Sequence, residues 1–421
     1  MATGAGEPQH FVRRSFESNI RRFYAFSFLN NFCLWIPIWV LYLIEYRGLS
    51  LLQVTVLEAV FHGIVCLAEM PTGAIADRFG RKTSMLMGSV GIPIAMVVFG
   101  LADSFLIIVV AYAFWAIAYA LYSGADSAFI YDSLASNGRE DQFSRVMGRM
   151  RAFSVTAAIG ASLIGAPLAG TTGLAMPFFI SAGISAFAGL LVLTFREPQR
   201  HEDHPKLKYF QILRAATSHA RQTPQIRTMI ALYAVLVASA MSMFIMIQPY
   251  LSGHGVEVSQ MGLFIIAAQV MAIGGALSAH RIAGTLGERG AFIGVTLLLG
   301  GSFFVLAAVP SLLAFGAFGL LFFANSAFLP LSFGYVSRHS PQHLRATLVS
   351  IGSMCASLAV VVSQPVFGLM ADMTSIEGAF ALSGVVVLGF GIPALFAWST
   401  AARGRYEEPV AMPVGAVVAV D

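Results

Sequence analysis

The chain is organised as long apolar runs separated by short polar connections. A helix needs about 20 apolar residues to cross a bilayer, and only helices or closed barrels satisfy their backbone hydrogen bonds in lipid. The runs are unbroken, unlike the short alternating strands of a barrel. The pattern therefore predicts an all-α integral membrane protein with twelve transmembrane helices. The predicted spans are residues 23–45, 52–76, 83–102, 104–127, 146–170, 173–195, 228–250, 257–280, 290–309, 311–336, 345–370 and 377–400.

The composition supports a membrane protein and argues against several other classes. Of the 421 residues, 57% are hydrophobic and 11% are charged, whereas soluble domains carry about 25% charged residues. The mean hydropathy is +0.77. No phosphate-binding loop of the G-x-x-x-x-G-K-[ST] type occurs, so we do not expect direct use of ATP. The scattered cysteines Cys33, Cys66 and Cys355 predict neither a disulfide nor a metal site.

The basic residues predict the orientation of the chain. Cytoplasmic loops carry an excess of Lys and Arg. If both termini are cytoplasmic, all of the 25 basic residues except Arg47 fall on that face. The net charge of +4 then follows from topology and requires no nucleic-acid partner. The first 22 residues are polar and basic, so we expect no cleavable secretory signal.

Two halves repeat along the chain. The segment Ala-Asp-Ser-Ala-Phe at 125–129 returns as Ala-Asn-Ser-Ala-Phe at 324–328, and the fifth and eleventh predicted spans share a proline and a glycine at the same spacing. Parallel repeats of six spans are typical of carriers that bind solute between the halves, near mid-membrane. We expect six-helix bundles at 1–195 and 227–421, joined by a cytoplasmic linker at 196–226. Within it, 206–221 fits either an amphipathic surface helix or a solvated linker.

The connection after the second predicted span has the most specific motif. It reads Gly73-Ala-Ile-Ala-Asp77-Arg78-Phe-Gly80-Arg81-Lys82 and fits the pattern G-x-x-x-D-R-x-G-R-K. This motif resembles the loop between the second and third helices of major facilitator superfamily transporters, and the internal repeat extends the resemblance to nearly the whole chain. The resemblance implies a secondary transporter rather than an enzyme. It implies a multi-pass protein of the bacterial cytoplasmic membrane, acting on a small molecule, and we expect a monomer.

The resemblance also implies a cytoplasmic latch. Asp77 would face the start of the eleventh span near Arg345, where the partial positive charge of a helix N-terminus favours a carboxylate. Gly73 would allow two helices to approach closely, and Gly80 would allow a tight turn. The bases Arg78, Arg81 and Lys82 would pair with acids on neighbouring spans. The alternative is a motif that only anchors the loop in the cytoplasm.

Asp126 is a second acid at the predicted cytoplasmic side. Its counterpart in the repeat is the neutral Asn325, so only one half has a carboxylate here. In the family an acid at this place can join the arginines of the loop, and Arg81 is the expected partner, with Arg149 and Arg151 as alternatives. An ordinary ion pair at a helix end is an equally good interpretation.

Three ionisable residues in the second span are candidates for proton coupling. Glu58, His62 and Glu69 lie within about 40° of one another on one helical face. Ionisable groups at membrane depth usually face a cavity or a partner. Burial favours the protonated form of a carboxylate, which proton exchange requires. A structural role in gating is the alternative.

The expected solute cavity lies between the first, fourth, seventh and tenth spans. Its candidate residues are Asn30, Asn31, Trp35, Tyr119, Tyr122, Met246, Gln248 and Asn325, with Met241, Met243 and Tyr250 beside them. Amides, aromatic rings and thioethers suit an apolar or weakly polar organic molecule. No basic residue is expected at mid-depth, which disfavours a sugar phosphate or a dicarboxylate. For each residue, helix packing is the alternative.

These features predict efflux of a hydrophobic or amphipathic solute by proton antiport, with the proton gradient as driving force and no cofactor. Two departures weaken the antiport interpretation. The fourth span lacks the membrane arginine often found in the family's antiporters, and Gly165-Ala-Pro167-Leu-Ala-Gly170 only partly matches their glycine-proline motif. Uptake or facilitated diffusion of an organic nutrient is an alternative. A sensor or lipid-handling protein without transport activity is an alternative of another class.

Overall fold

A computed structural model describes residues 7–198, 207–309 and 314–403. These residues form helices and no strand. The helices are α1 (Glu7–Asn30), α2 (Trp39–Leu41), α3 (Leu51–Phe79), α4 (Arg81–Leu101), α5 (Phe105–Ser123), α6 (Ala125–Ala135), α7 (Phe143–Thr172), α8 (Met176–Leu193), α9 (Leu207–Gln222), α10 (Pro224–Gly253), α11 (Met261–Ala308), α12 (Phe315–Arg338), α13 (Arg345–Met373) and α14 (Ile376–Arg403).

These helices make twelve membrane crossings. Ten helical stretches in the described part of the chain are long and apolar enough to cross a membrane. The stretch Val258–Ala308 contains two of the crossings, because 51 residues would extend far beyond a core of about 30 Å. Gly287, with a φ of 68°, divides α11 between them. The remaining crossing is the first, which is built from α1, α2 and a short π-helical turn at Tyr42–Tyr46. The predicted twelve-helix membrane fold is confirmed.

The first crossing is discontinuous, whereas the sequence predicts a single helix over 23–45. α1 ends at Asn30, and turns occupy most of residues 31–38. Pro37 explains part of the break, because proline has no N–H and disfavours helix at the residue before it. The apolar pattern continues through the break and therefore hides it.

Side chains from other helices satisfy the backbone groups that the break releases. The Leu34 N–H donates to Ser181 Oγ at 2.9 Å. Gln248 of α10 donates from Nε2 to the Ile36 carbonyl at 2.9 Å and accepts from the Val40 N–H at 2.9 Å. One amide from the second half thus serves both sides of the break.

Replacing Gln248 by leucine tests this role. The variant leaves the Ile36 carbonyl and the Val40 N–H without their partner, and an unsatisfied buried polar group costs about 1–3 kcal/mol. We expect a clearly lower unfolding temperature of the purified protein, measured by thermal scanning in detergent. Gln222→Leu, which changes an exposed amide at the end of α9, is the matched control. Equal unfolding temperatures for both variants would contradict the role.

The linker contains a helix that packs on the second bundle. α9 covers most of segment 206–221, for which the sequence allowed either a surface helix or a solvated linker. Its residues Ala216 and Ala220 are buried in the same apolar cluster as Ile226 and Met229 of α10. Residues 199–206 of the predicted linker, and the tail from residue 404, lie outside the described residues. The helical interpretation therefore fits the described part of the linker.

The halves meet along α3 and α13, which run antiparallel. We call the end of the bundle that carries Asp77 and Arg345 the basic end, and the other the opposite end. Hydrogen bonds between the halves cluster at the opposite end. There the Asp372 carboxylate at the end of α13 accepts the Leu51 and Leu52 N–H groups at 3.0 and 2.9 Å. The N–H groups at the start of a helix have no acceptor within the helix itself. Asp372 therefore caps α3 from across the interface.

Asp372→Ala should weaken the closure of the opposite end. A carboxylate at a helix N-terminus contributes about 0.3–1 kcal/mol when exposed, and this one also satisfies two amide donors. We expect the variant to populate a conformation open at the opposite end more often. A spin-label distance between the start of α3 and the end of α13 would then lengthen, while Asp141→Ala, which changes an exposed acid outside the interface, should leave it unchanged.

Candidate functional site

A cavity of about 800 Å³ lies between the two halves. Its wall is contributed by α1, the break that follows α1, and helices α2 to α8, α10 and α12. The hydrogen bonds of Gln248 and Asp372 close the opposite end. Towards the basic end the wall includes Asp126 and Arg151. The predicted cavity residues that line it are Asn30, Asn31, Trp35, Tyr119, Tyr122 and Asn325.

Met246 and Gln248 do not line the cavity, in contrast to the expectation from sequence. α10 presents Val237 and Phe244 to the cavity, together with the expected Met241 and Met243. Met246 is fully buried, and Gln248 is used by the break after α1. The sequence places residues in the correct span, but it does not fix the face of an almost wholly apolar helix, because such a helix has little amphipathic signal.

Aromatic rings form one wall of the cavity. Trp35, in the break, meets Trp115 edge to face at 5.0 Å between ring centroids and stacks on Phe178 at 5.9 Å. Trp115 and Phe178 also line the cavity but were not singled out from sequence. Aromatic residues are common in apolar spans, and the sequence singled out only Trp35 of these three rings.

Glu58 places a carboxylate in the cavity wall. Tyr112 on α5 donates its hydroxyl to Glu58 Oε1 at 3.3 Å. His62, one helical turn further, has Nε2 4.0 Å from Glu58 Oε2. Glu69 lies eleven residues from Glu58, is exposed, and does not line the cavity. The structure therefore brings two of the three candidate residues together and leaves Glu69 apart.

Asp126 lies in the first turn of α6, directly after the junction with α5. Its carboxylate accepts the Ser127 N–H, and Tyr122 and Asn30 line the cavity with it. Asn30 is the last residue of α1. The sequence predicted these three residues separately, and the structure places all three on the cavity wall.

The expected pairing of Arg81 with Asp126 is wrong. Arg81 lies 3.1 Å from Asp77 (Nη1 to Oδ1) and 3.7 Å from Asp132 (Nε to Oδ2). Asp132 is six residues beyond Asp126, which brings it about 9 Å closer to the basic end along α6. The loop arginine therefore reaches the second acid of α6 rather than the first.

The structure does not bring Asp77 and Arg345 together. Asp77 is 61% exposed and pairs with Arg81 in its own loop. Arg345 donates its Nε–H to the Ser340 carbonyl at 3.2 Å. Gly73 has open space where a Cβ would lie, so no close helix approach occurs there in this conformation. The latch stays a prediction, and it concerns a conformation closed at the basic end.

Glu197 completes the loop and was missed from sequence. Its carboxylate accepts the N–H groups of Arg81 and Lys82 at 2.6 and 2.8 Å, and so caps the start of α4. Gly80 has a φ of 107°, and a Cβ there would lie 2.9 Å from Glu197. Lys82 also donates Nζ to the Leu193 carbonyl at 2.8 Å, and Arg78 lies over the ring of Phe79. In the sequence, the signal for Glu197 was the position of an acid directly after the sixth span.

Two six-helix bundles around a central cavity, closed at one end between the halves, define a membrane carrier. The chain matches the family model of the Major Facilitator Superfamily over residues 23–347. The protein belongs to this superfamily, whose members are transporters and not enzymes.

Known proteins of this superfamily resemble the chain over most of its length. It is 23% identical over 387 residues to the uncharacterized MFS-type transporter YxaM of Bacillus subtilis (strain 168), covering 87% of this chain and 92% of YxaM. It is 25% identical over 323 residues to the uncharacterized MFS-type transporter YceJ of the same organism, covering 73% and 77%.

Two solved structures share the fold. The nucleoside transporter NupG has a TM-score of 0.75 at 14% identity, covering 91% of this chain and 99% of NupG. A bacterial homologue of the human lysosomal transporter Spinster, in an inward-facing and unoccupied conformation, has a TM-score of 0.71 at 20% identity, covering 95% and 98%. Identities this low establish the fold alone.

Proposed function

We propose that the protein exports a small hydrophobic or amphipathic organic solute by alternating access, in exchange for protons that bind at Glu58. The observation that carries the proposal is the position of Glu58 in the wall of the cavity, with Tyr112 and His62 beside it. A solute and a proton that use one cavity can compete for it, which is the simplest basis for antiport.

The wall of the cavity supports the solute class. Trp35, Trp115 and Phe178 offer aromatic surface, while Met241 and Met243 offer adaptable thioethers. Asn30, Asn31 and Asn325 add amides that can orient a polar group. A solute with an apolar body and one polar end matches this combination.

The orientation belongs to the same proposal. We place the basic end and both termini in the cytoplasm, because basic loops remain on that side. The conformation is then inward-facing, since the bonds of Gln248 and Asp372 close the periplasmic or external side. A monomer with the proton gradient as the driving force suffices for this mechanism.

Uptake of an organic nutrient is the second candidate. The amides on the wall, together with Tyr122 and Asp126, would suit a more polar solute than the aromatic wall does. A proton entering with the solute through Glu58 would use the same groups. The two candidates differ in the direction of coupled flux.

An unbiased solute screen separates them. Proteoliposomes with and without an imposed pH gradient are offered a panel of lipophilic cations, amphipathic toxins, nucleosides and other nutrients, while an internal dye reports proton movement. Export requires that solute and protons move in opposite directions. Movement in the same direction would favour uptake, and transport that ignores the gradient for every solute would reject proton coupling.

A further inference from the structure

A second pocket lies at the basic end of the first half, apart from the central cavity. It has a volume of about 350 Å³ between α1 and the start of α7. Its lining residues are Ile20, Arg21, Tyr24, Arg139, Gln142 and, on α7, Arg145, Val146 and Arg149. Four arginines share this pocket, and none of the described residues that line it is an acid.

Three of these arginines are available to a ligand. Arg139 donates to Gln142 Oε1 at 2.7 Å and is already engaged. Arg21, Arg145 and Arg149 are exposed and form no ion pair with any residue whose side chain the structure describes. Arg145 and Arg149 are one helical turn apart, so their side chains are neighbours. Guanidinium groups in such an arrangement bind phosphate oxygens with paired N–H donors.

The pocket faces away from the solute cavity. Some residues of α7, such as Met147 and Ser154, line the cavity, and others line the pocket. At 3.6 residues per turn, the centres of these two faces of α7 are about 140° apart. A ligand in the pocket is therefore not a solute in transit, whatever the cavity carries.

The surroundings of the pocket resemble the boundary between headgroups and acyl chains. Ile20 and Val146 give it an apolar floor. Tyr24, at its edge, stacks on Phe153 of α7 at 5.3 Å, and Phe153 is 43% exposed. Phe153 follows Arg149 by one turn on the same face. Aromatic residues are common at membrane interfaces, and basic pockets between transmembrane helices on the cytoplasmic side hold anionic headgroups.

We propose that this pocket binds the phosphate of an anionic phospholipid headgroup, with Arg21, Arg145 and Arg149 as its donors and the exposed surface of Phe153 along an acyl chain. A soluble phosphate would offer the same charge and the same oxygens. The apolar floor and the aromatic edge favour the lipid.

Retention of lipid by the purified protein tests the proposal. The full chain is equilibrated with phosphatidylglycerol or phosphatidylcholine, and bound lipid is counted by native mass spectrometry. Arg145→Gln with Arg149→Gln should weaken retention of phosphatidylglycerol by about tenfold to thirtyfold, since each basic residue near the surface contributes about a fivefold change. Arg281→Gln with Arg289→Gln removes two exposed arginines of the second half and should leave retention unchanged.

Further arms separate the sources of phosphate and guard against misfolding. Arg145→Lys with Arg149→Lys keeps the charge and should retain more phosphatidylglycerol than the glutamine pair. Equal retention of phosphatidylglycerol by wild type and the glutamine pair would overturn the proposal, as would equal retention of phosphatidylcholine and phosphatidylglycerol by wild type. If millimolar inorganic phosphate stabilises wild type but not the glutamine pair, and both retain phosphatidylglycerol equally, the site takes a soluble phosphate and the lipid assignment is wrong.

Discussion

Glu58→Gln should abolish the response of transport to a pH gradient. Glutamine has nearly the shape of glutamate and can still accept from Tyr112, but it cannot bind and release a proton. Flux of solute down its own gradient should persist, whereas accumulation driven by the pH gradient should fall to the level of empty vesicles. The measurement is solute flux in proteoliposomes together with proton movement from an internal dye.

Two variants make this result specific. Glu140→Gln changes an exposed acid in a connection remote from the cavity and should behave as wild type. Tyr112→Phe removes the hydroxyl that donates a hydrogen bond to Glu58. This variant should shift the pH dependence of transport without abolishing proton coupling. If Glu58→Gln moves protons as well as wild type does, Glu58 is not the coupling residue, and Asp126 becomes the next acid of the cavity to test.

Asp77→Asn should slow transport by favouring the conformation that is open at the basic end. In this conformation Asp77 makes no ion pair with Arg345 and pairs with Arg81 in its own exposed loop, so the variant loses only a surface ion pair here, which contributes about 0–1 kcal/mol. A conformation closed at the basic end would lose a carboxylate at the start of α13, which contributes about 0.3–2 kcal/mol. Where this loss exceeds that of the surface pair with Arg81, the balance shifts towards the open conformation, by at most about thirtyfold.

Spin-label distances across the basic end measure this balance, and solute flux measures its effect. Asp103→Asn, an exposed acid between α4 and α5, is the matched control and should change neither. Membrane insertion should be normal in both variants. If Asp77→Asn shows wild-type distances and full transport, the latch is rejected and the motif only anchors its loop in the cytoplasm.

The sequence was sufficient for the fold because lipid permits so few structures. Runs of about 20 apolar residues and the repeat of Ala125–Phe129 at 324–328 predicted two bundles of six spans. The break at 31–38 was not predictable, since its released backbone groups depend on Ser181 and Gln248, which are distant in the chain.

The site was predictable wherever a polar residue was rare for its depth. Glu58, Asn30 and Asn325 stand out in apolar spans, and all line the cavity. Met246 was misplaced because an almost wholly apolar helix gives no signal for its facing side. The partner of Arg81 was misjudged because Asp126 and Asp132 lie on one helix, and only the tertiary structure shows which one is near the loop.

The dependence of the α1 break on Gln248 has a consequence for biosynthesis. Ile36 is synthesised 212 residues before Gln248, whose side-chain amide donates a hydrogen bond to the Ile36 carbonyl. At about 5–20 residues per second, synthesis takes about 10–40 s to supply that partner. During this interval Pro37 prevents a regular helix from forming, so we expect the nascent first bundle to draw on water or the insertion machinery at this point. The first six helices can therefore be inserted before the seventh is made, but their first crossing is completed only after it.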